Sequence, residues 1–196
     1  MTHKKTLTEL FLTYSRWTDK ETEHGYGMFY DKWLSRLQEV RKVLCLGVST
    51  RGGGDLLAFN EYFPDATIVG VDICERGLVK EVRHRRGIDI VLGDAYRKET
   101  VEQIKNRYQT FDLIVDDLRP KHAAFHMPDD QIKAFDHWNS LLHPDGLYII
   151  EDVVDPDGLF HCMTGHHGQW HIGIEDARQR TGLNSDSVLF FLQLGS

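Results

Sequence analysis

The sequence predicts a doubly wound α/β domain: a mostly parallel, seven-stranded sheet closed by an antiparallel C-terminal hairpin and preceded by helices. Three observations predict it. Short apolar runs without clean alternation recur at Val43 to Leu46, Thr67 to Val71, Ile88 to Leu92, Phe111 to Val115 and Leu147 to Ile150, the pattern of parallel strands covered on both faces. Segments of helical periodicity lie between them, as crossover connections require. Four strand tips carry acids, namely Asp72, Asp94, Asp116 with Asp117, and Glu151 with Asp152. In such sheets ligands bind outside the carboxyl ends of the strands, so these acids are expected on one rim.

Residues 1 to 40 precede the first strand and are expected to form a helical cap or lid. Thr6 to Tyr14 carries Leu7, Leu10, Phe11 and Tyr14 at helical spacing, and Met28 to Leu37 places Phe29, Trp33 and Leu37 on one face. The polar stretch between them is either a lid or a plain surface connection. Residues 41 to 196 form the core of what is expected to be a single domain. After Val43 to Leu46 come a glycine-rich turn (Gly47 to Gly54), a helix over Asp55 to Tyr62 and the strand Thr67 to Val71. A helix is expected over Glu75 to Arg85, another over Lys98 to Tyr108, and a third over Asp129 to Leu142. His143 to Gly146 reads as a turn, and Asp155 to His171, rich in Gly and His, as a loop. His171 to Ala177 and Ser187 to Leu194 read as the closing hairpin.

Length and composition bound the function. A chain of 196 residues with 41% hydrophobic and 27% charged content is ordinary for one soluble globular domain. A net charge of −7 argues against a nucleic-acid partner, which needs a basic footprint. The three cysteines are scattered with no C-x-x-C, so neither a disulfide framework nor a cysteine zinc site is indicated. Four histidines between His161 and His171 lack a second ligand motif for zinc and are expected, with Trp170, to line an acceptor pocket. No signal peptide or bilayer-length apolar run is present, which gives a cytoplasmic location by default and no membrane partner.

The glycine turn narrows the ligand. Gly47 and Gly52 have P-loop spacing, but Gly53 and Gly54 stand where Lys and Ser/Thr belong, so nothing meets a β/γ-phosphate. The dinucleotide fingerprint fails too, because Ser49 occupies its second glycine. A ligand with a ribose and no pyrophosphate remains, its hydroxyls met by Asp72.

With these motifs in place the chain resembles the class I S-adenosylmethionine-dependent methyltransferases, which are Rossmann-like. The resemblance rests on Val43-Leu44-Cys45-Leu46-Gly47, Asp72, Gly93-Asp94, Phe111 to Asp116 and Leu142 to Asp152, and covers nearly everything after Lys42. A narrower resemblance is to the metal-dependent macrolide-sugar O-methyltransferases and the related cephalosporin-tailoring proteins. It is carried by Thr18-Asp19-Lys20 with His24 and Tyr26, by Asp116-Asp117 followed by His122-x-x-x-His126, and by Ile150-Glu151-Asp152. Three departures stand out: Cys45 replaces the acid that usually anchors the cofactor's amino group, Asp145 replaces a turn glycine, and the region after Asp152 is short.

The resemblance implies a cofactor set of Thr18, Lys20, His24, Tyr26, Gly47, Ser49, Gly53, Asp72, Ile73, Asp94, Ala95 and Asp116 for S-adenosylmethionine. Facing acid pairs suit a hard dication such as Mg²⁺, with Asp116, Glu151 and Asp152 as ligands and Asp117 in reserve. His122 is expected as general base and His126 as its orienting or substrate-contacting partner, next to Asp116. The expected activity is Mg²⁺-assisted O-methylation of a sugar or other small polar acceptor. A non-catalytic adenosyl-binding domain and a nicotinamide-dependent oxidoreductase stay open as alternatives, and so does a homo-oligomer.

Overall fold

A computed structural model describes residues 4–48, 50–120, 126–181 and 186–195. Two helices come first, α1 (Leu7–Thr13) and α2 (Gly27–Leu34). Thr6 and Glu9 cap α1 reciprocally, each side chain bonding the other residue's backbone N–H. Then follow β1 (Lys42–Leu46), α3 (Gly54–Tyr62), β2 (Thr67–Asp72), α4 (Lys80–Arg83), β3 (Ile88–Leu92), α5 (Lys98–Tyr108) and β4 (Phe111–Asp116). The chain continues through α6 (Pro128–Trp138), a single 3₁₀ turn, β5 (Leu142–Ile150), α7 (Pro156–His166), β6 (Trp170–Asp176), α8 (Arg178–Thr181) and β7 (Val188–Leu194).

The seven strands lie in the order β3-β2-β1-β4-β5-β7-β6. Pairs from β3 through β5 are parallel, and β7 runs antiparallel to both β5 and β6. Strand alternation divides the core. Val43, Cys45, Leu113, Val115, Leu147 and Ile149 pack on one face against α1, α2 and α3. Leu44, Leu46, Ile114, Tyr148 and Ile150 pack on the other against α5, α6 and α7. The strand order reverses between β1 and β4, which opens a crevice at their carboxyl ends.

Four local expectations are corrected. The helix expected over Glu75 to Arg85 is confined to α4, because Leu78 N–H closes a turn on the Glu75 carbonyl and Val79 N–H bonds Gly52 O at 3.1 Å. The helix from Asp129 ends at Trp138 and gives way to the 3₁₀ turn Asn139–Leu141. His143 to Gly146 is a bulge inside β5, whose register on β4 shifts between Phe111 and Leu113. The expected loop after Asp155 is α7: Asp155 caps it by accepting from Gly158 N–H at 3.0 Å, Pro156 opens it, and Leu159 and Met163, one turn apart, are fully buried. Burying each such side chain contributes about 1.5–3 kcal/mol, enough to offset the weak helix propensity of Gly158 and Gly165. No helix among the described residues is long and apolar enough to cross a membrane.

Candidate active site

The crevice is built by backbone approach. Gly47 has φ +80°, and a Cβ there would lie 2.4 Å from the Asp117 carbonyl oxygen, so only glycine lets the β1 turn meet the end of β4. Gly54 N–H donates to Trp17 O at 2.8 Å, and a Cβ at Gly54 would stand 2.8 Å from the Trp17 carbonyl carbon. The stretch before α2 is therefore seated directly on the start of α3. Two hollows result, of about 520 and 320 Å³, sharing Gly47, Thr50, Asp117 and Arg119. Together they form one cleft along the rim.

The larger hollow gathers Gly47, Asp72, Ile73, Asp94 and Ala95. Asp72 is braced by Cys74 N–H (3.0 Å) and Asp94 by Tyr96 N–H (3.0 Å). The smaller hollow gathers Thr18, Lys20, His24, Tyr26, Gly47, Gly53, Asp117, His126 and Asp152. Ser49 and His122 lie outside the described residues.

Lys20 is the electrostatic centre of the smaller hollow. It is buried and ion-paired with Glu151, with Asp117 Oδ2 3.6 Å away. Burial alone would lower its pKa, but attraction to Glu151, Asp117 and Asp55 more than offsets this and holds the ammonium charged. Glu151 also accepts from Tyr30 OH at 2.6 Å. Burial pushes its carboxyl up, and the Lys20 charge pulls it part of the way back. The expected ligand Glu151 is thus committed to Lys20 and Tyr30.

Asp116, expected as metal ligand, cofactor contact and catalytic residue, does not line the cleft. It shares the parity of Ile114, so its side chain turns to the α5–α6 face of the sheet, away from the cleft. There it accepts from Tyr148 OH (2.7 Å) and Leu118 N–H (3.1 Å), and it lines neither hollow. Burial, only partly opposed by these bonds, pushes its pKa up to about 7. A carboxyl raised in the folded state stabilises the fold below its unfolded pKa of 3.8 and loses that contribution as pH climbs through 7. At about 1.4 kcal/mol per unit, the loss is about 4 kcal/mol at most. Thermal unfolding of the metal-free protein is expected to show stability falling between pH 4 and 7 and a shallower fall in Asp116→Asn; an unchanged pH slope in the variant would contradict the assignment.

Asp117, the next residue, turns into the cleft. Its carboxylate, that of Asp152 and the His126 imidazole offer ligand atoms that all lie within 4.8 Å of one another. His126 Nε2 is 3.8 Å from Asp152 Oδ2 and 4.0 Å from Asp117 Oδ1. Asp152 reaches this position through a left-handed backbone, φ +54°, uncommon for a non-glycine residue and tolerated best by Asp and Asn. Tyr26 fixes it, donating its OH to Oδ1 (2.7 Å) and accepting from Asp152 N–H (3.3 Å), while His24 Nδ1 sits 3.5 Å from Oδ1. Burial, with Asp152 and Glu151 nearby, raises the pKa of Asp117 well above the carboxylate range despite Lys20. Two carboxylates and an imidazole, crowded with net negative charge, fit a divalent cation.

Several site residues were not expected. Asp55, at the start of α3, presents a carboxylate to the smaller hollow; burial raises its pKa and Lys20 opposes the rise. Arg51 latches the glycine turn to the preceding segment, pairing with Glu23 at 2.7 and 2.9 Å and with Asp19 at 3.1 Å. Arg51 sits in the glycine turn and Asp55 directly follows it, so a base among the glycines and an acid after them were the available signal. The acceptor pocket expected from the later histidines does not form among the described residues. Trp170 packs on Phe135, and His171 lines a hollow with Arg36 and Lys42 near the opposite end of the sheet.

No protein-family model matches the chain. Over 137 residues, 66% of this chain and 32% of the relative, it is 34% identical to mycinamicin VI 2''-O-methyltransferase of Micromonospora griseorubida. Over 137 residues it is 31% identical to demethylmacrocin O-methyltransferase of Streptomyces fradiae, again covering 32% of that protein. The chain thus spans about a third of the length of the curated relatives it matches. Among solved structures, the MycE methyltransferase from the mycinamycin biosynthetic pathway in complex with Mg, SAH and mycinamycin VI matches with a TM-score of 0.72 and 26% identity, covering 99% of this chain and 56% of that one. The chain is thus similar in sequence to these macrolide O-methyltransferases over 66% of its length, and in fold to the MycE methyltransferase over 99%.

Proposed function

We propose that the chain binds S-adenosylmethionine along the cleft and transfers its methyl group to a hydroxyl of a sugar or similar small polar acceptor, assisted by a divalent cation. The supporting observation is the continuity of the two hollows through Gly47 and Asp117. One end holds Asp72 and Asp94, suited to ribose and adenine; the other holds buried charge, suited to a zwitterionic methionine tail. Cys45 cannot supply the acid for the cofactor's ammonium, since burial holds its thiol neutral. Asp55, which faces the same hollow, takes over that role.

In the transfer the S–CH₃ bond breaks as the O–CH₃ bond forms, leaving a neutral thioether, and the hydroxyl proton must pass to a base. His122 keeps the role of proton acceptor, because His126 is turned into the acidic cluster. Asp117, Asp152 and His126 would hold the cation, which lowers the pKa of a bound hydroxyl and fixes its orientation. Methionine-methyl-labelled cofactor incubated with a panel of glycosides bearing adjacent hydroxyls tests the reading. Label transfer is expected, lost on chelation and restored by added dication. Transfer that survives chelation would remove the metal, and cofactor binding without any transfer would favour a bare adenosyl-binding domain.

A further inference from the structure

We propose that Arg51 is a positioning residue: its ion pairs latch the segment from Trp17 to Tyr26 over one end of the cleft, and their breaking sets how fast the cofactor exchanges. The inference rests on the reading of the cleft as an S-adenosylmethionine site and names what controls access to it.

The segment between α1 and α2 forms one wall of the smaller hollow, through Trp17, Thr18, Asp19, Lys20, Glu23 and His24. The glycine turn forms the facing wall, with Val48, Thr50, Arg51 and Gly53. A cofactor seated between these walls is gripped from both sides, and parting them frees it.

Two sets of contacts hold the segment in place. On the sheet side, Lys20 is ion-paired with Glu151, Tyr26 OH donates to Asp152 Oδ1 at 2.7 Å, and His24 Nδ1 lies 3.1 Å from Ser187 Oγ. On the turn side, Gly54 N–H donates to Trp17 O at 2.8 Å. Beside that bond, the Arg51 guanidinium meets both Glu23 carboxylate oxygens at 2.7 and 2.9 Å and Asp19 Oδ2 at 3.1 Å. The segment itself brings these acids together. Glu23 N–H bonds Asp19 O at 2.9 Å and closes one helical turn, on which side chains four residues apart are neighbours. The rigid fork of a guanidinium matches the bidentate contact, which a lysine could not make.

The two sets differ in how readily they open. The Lys20 side chain is 5% exposed, whereas those of Arg51 and Glu23 are 52% and 39% exposed. Breaking a buried pair leaves uncompensated charge and is costly. An exposed pair contributes little and is screened by salt. The turn side is therefore where the walls part first, and Arg51 carries the charged contacts that oppose it.

Stopped-flow tryptophan fluorescence with S-adenosylhomocysteine tests this, since Trp17 lines the hollow. In Arg51→Met the association and dissociation rates are both expected to rise about three- to fivefold, the range that exposed ion pairs support, with Kd changed by about twofold at most. Both rates rise because the latch forms with and without the ligand. Added salt should speed exchange in the wild-type chain and do so less in Arg51→Met. Unchanged rates in the variant would overturn the proposal. So would a rise in dissociation alone, which would mark Arg51 as a direct cofactor contact. Glu23→Gln removes the latch from the other side and decides the question should Arg51→Met fail to fold. Hydrogen exchange of the ligand-free chain separates the latch from the methyl-transfer reading. The Glu23 and Gly54 amides, bonded to Asp19 O and Trp17 O, should lose about three- to fivefold in protection in Arg51→Met. Lost protection without any binding of S-adenosylhomocysteine sinks only the reading of the cleft. Binding with unchanged protection and unchanged rates sinks only the latch.

Discussion

Lys20→Ala is expected to lower unfolding free energy by about 3–5 kcal/mol, the usual consequence of leaving a buried charge without its partner. Glu151 is 1% exposed, and after the substitution Tyr30 alone among the described residues would donate to its carboxylate. Asp117 and Asp152 would remain close by with the buried Lys20 ammonium removed. A typical domain has only about 5–15 kcal/mol in all, so the loss should be plain in urea unfolding. The cause is specific: Lys20→Met combined with Glu151→Gln removes both charges while keeping volume, and should recover most of the stability. A loss below about 1 kcal/mol in Lys20→Ala, or no recovery in the double variant, would show that the pair is not what anchors the segment before α2 to the end of β5.

Asp117→Asn is expected to reduce cation-dependent methyl transfer at least about 100-fold, the scale on which removing one preorganised electrostatic group acts. The side chain faces Lys20 on one side and the His126–Asp152 pair on the other, so the amide keeps the shape and deletes the charge. Its backbone carbonyl, which meets Gly47, is untouched, and affinity for the adenosyl ligand should change little. Asp116→Asn, one residue earlier, should leave transfer nearly unaffected, because that carboxylate lies on the far face with Tyr148. Equal loss in the two variants would mean that the parity assignment at the end of β4 is wrong. Steady-state rates at saturating cation decide between them.

The strands and their order of appearance were legible because a parallel sheet buried on both faces leaves continuous apolar runs, as at Val43 to Leu46 and Phe111 to Val115. The rim was legible because acids ended successive runs. Which acid enters the cleft was readable in principle: Asp116 is two residues from buried Ile114 and follows it to the same face, leaving Asp117 to turn outward. What could not be read is set by distance along the chain. Lys20 meets Glu151 across 131 positions, and His24 meets Ser187 across 163. Similarly, α7 was obscured by Gly158, Gly165 and a run of histidines, although Asp155-Pro156 is an ordinary helix start. His126 was expected as a partner of His122, and spacing alone gave no sign that its ring stands beside Asp117 and Asp152.

The most direct test of the account is calorimetric titration of S-adenosylhomocysteine into the wild-type chain, Asp72→Ala and Asp55→Asn. One molecule is expected to bind per chain. Removing Asp72, the proposed ribose acceptor, should weaken binding by about tenfold or more, as losing one or two charge-assisted hydrogen bonds does. Asp55→Asn should weaken it through the ammonium of the amino-acid tail. Absence of binding to the wild-type chain, or an affinity that Asp72→Ala leaves unchanged, would contradict the assignment of this cleft to S-adenosylmethionine.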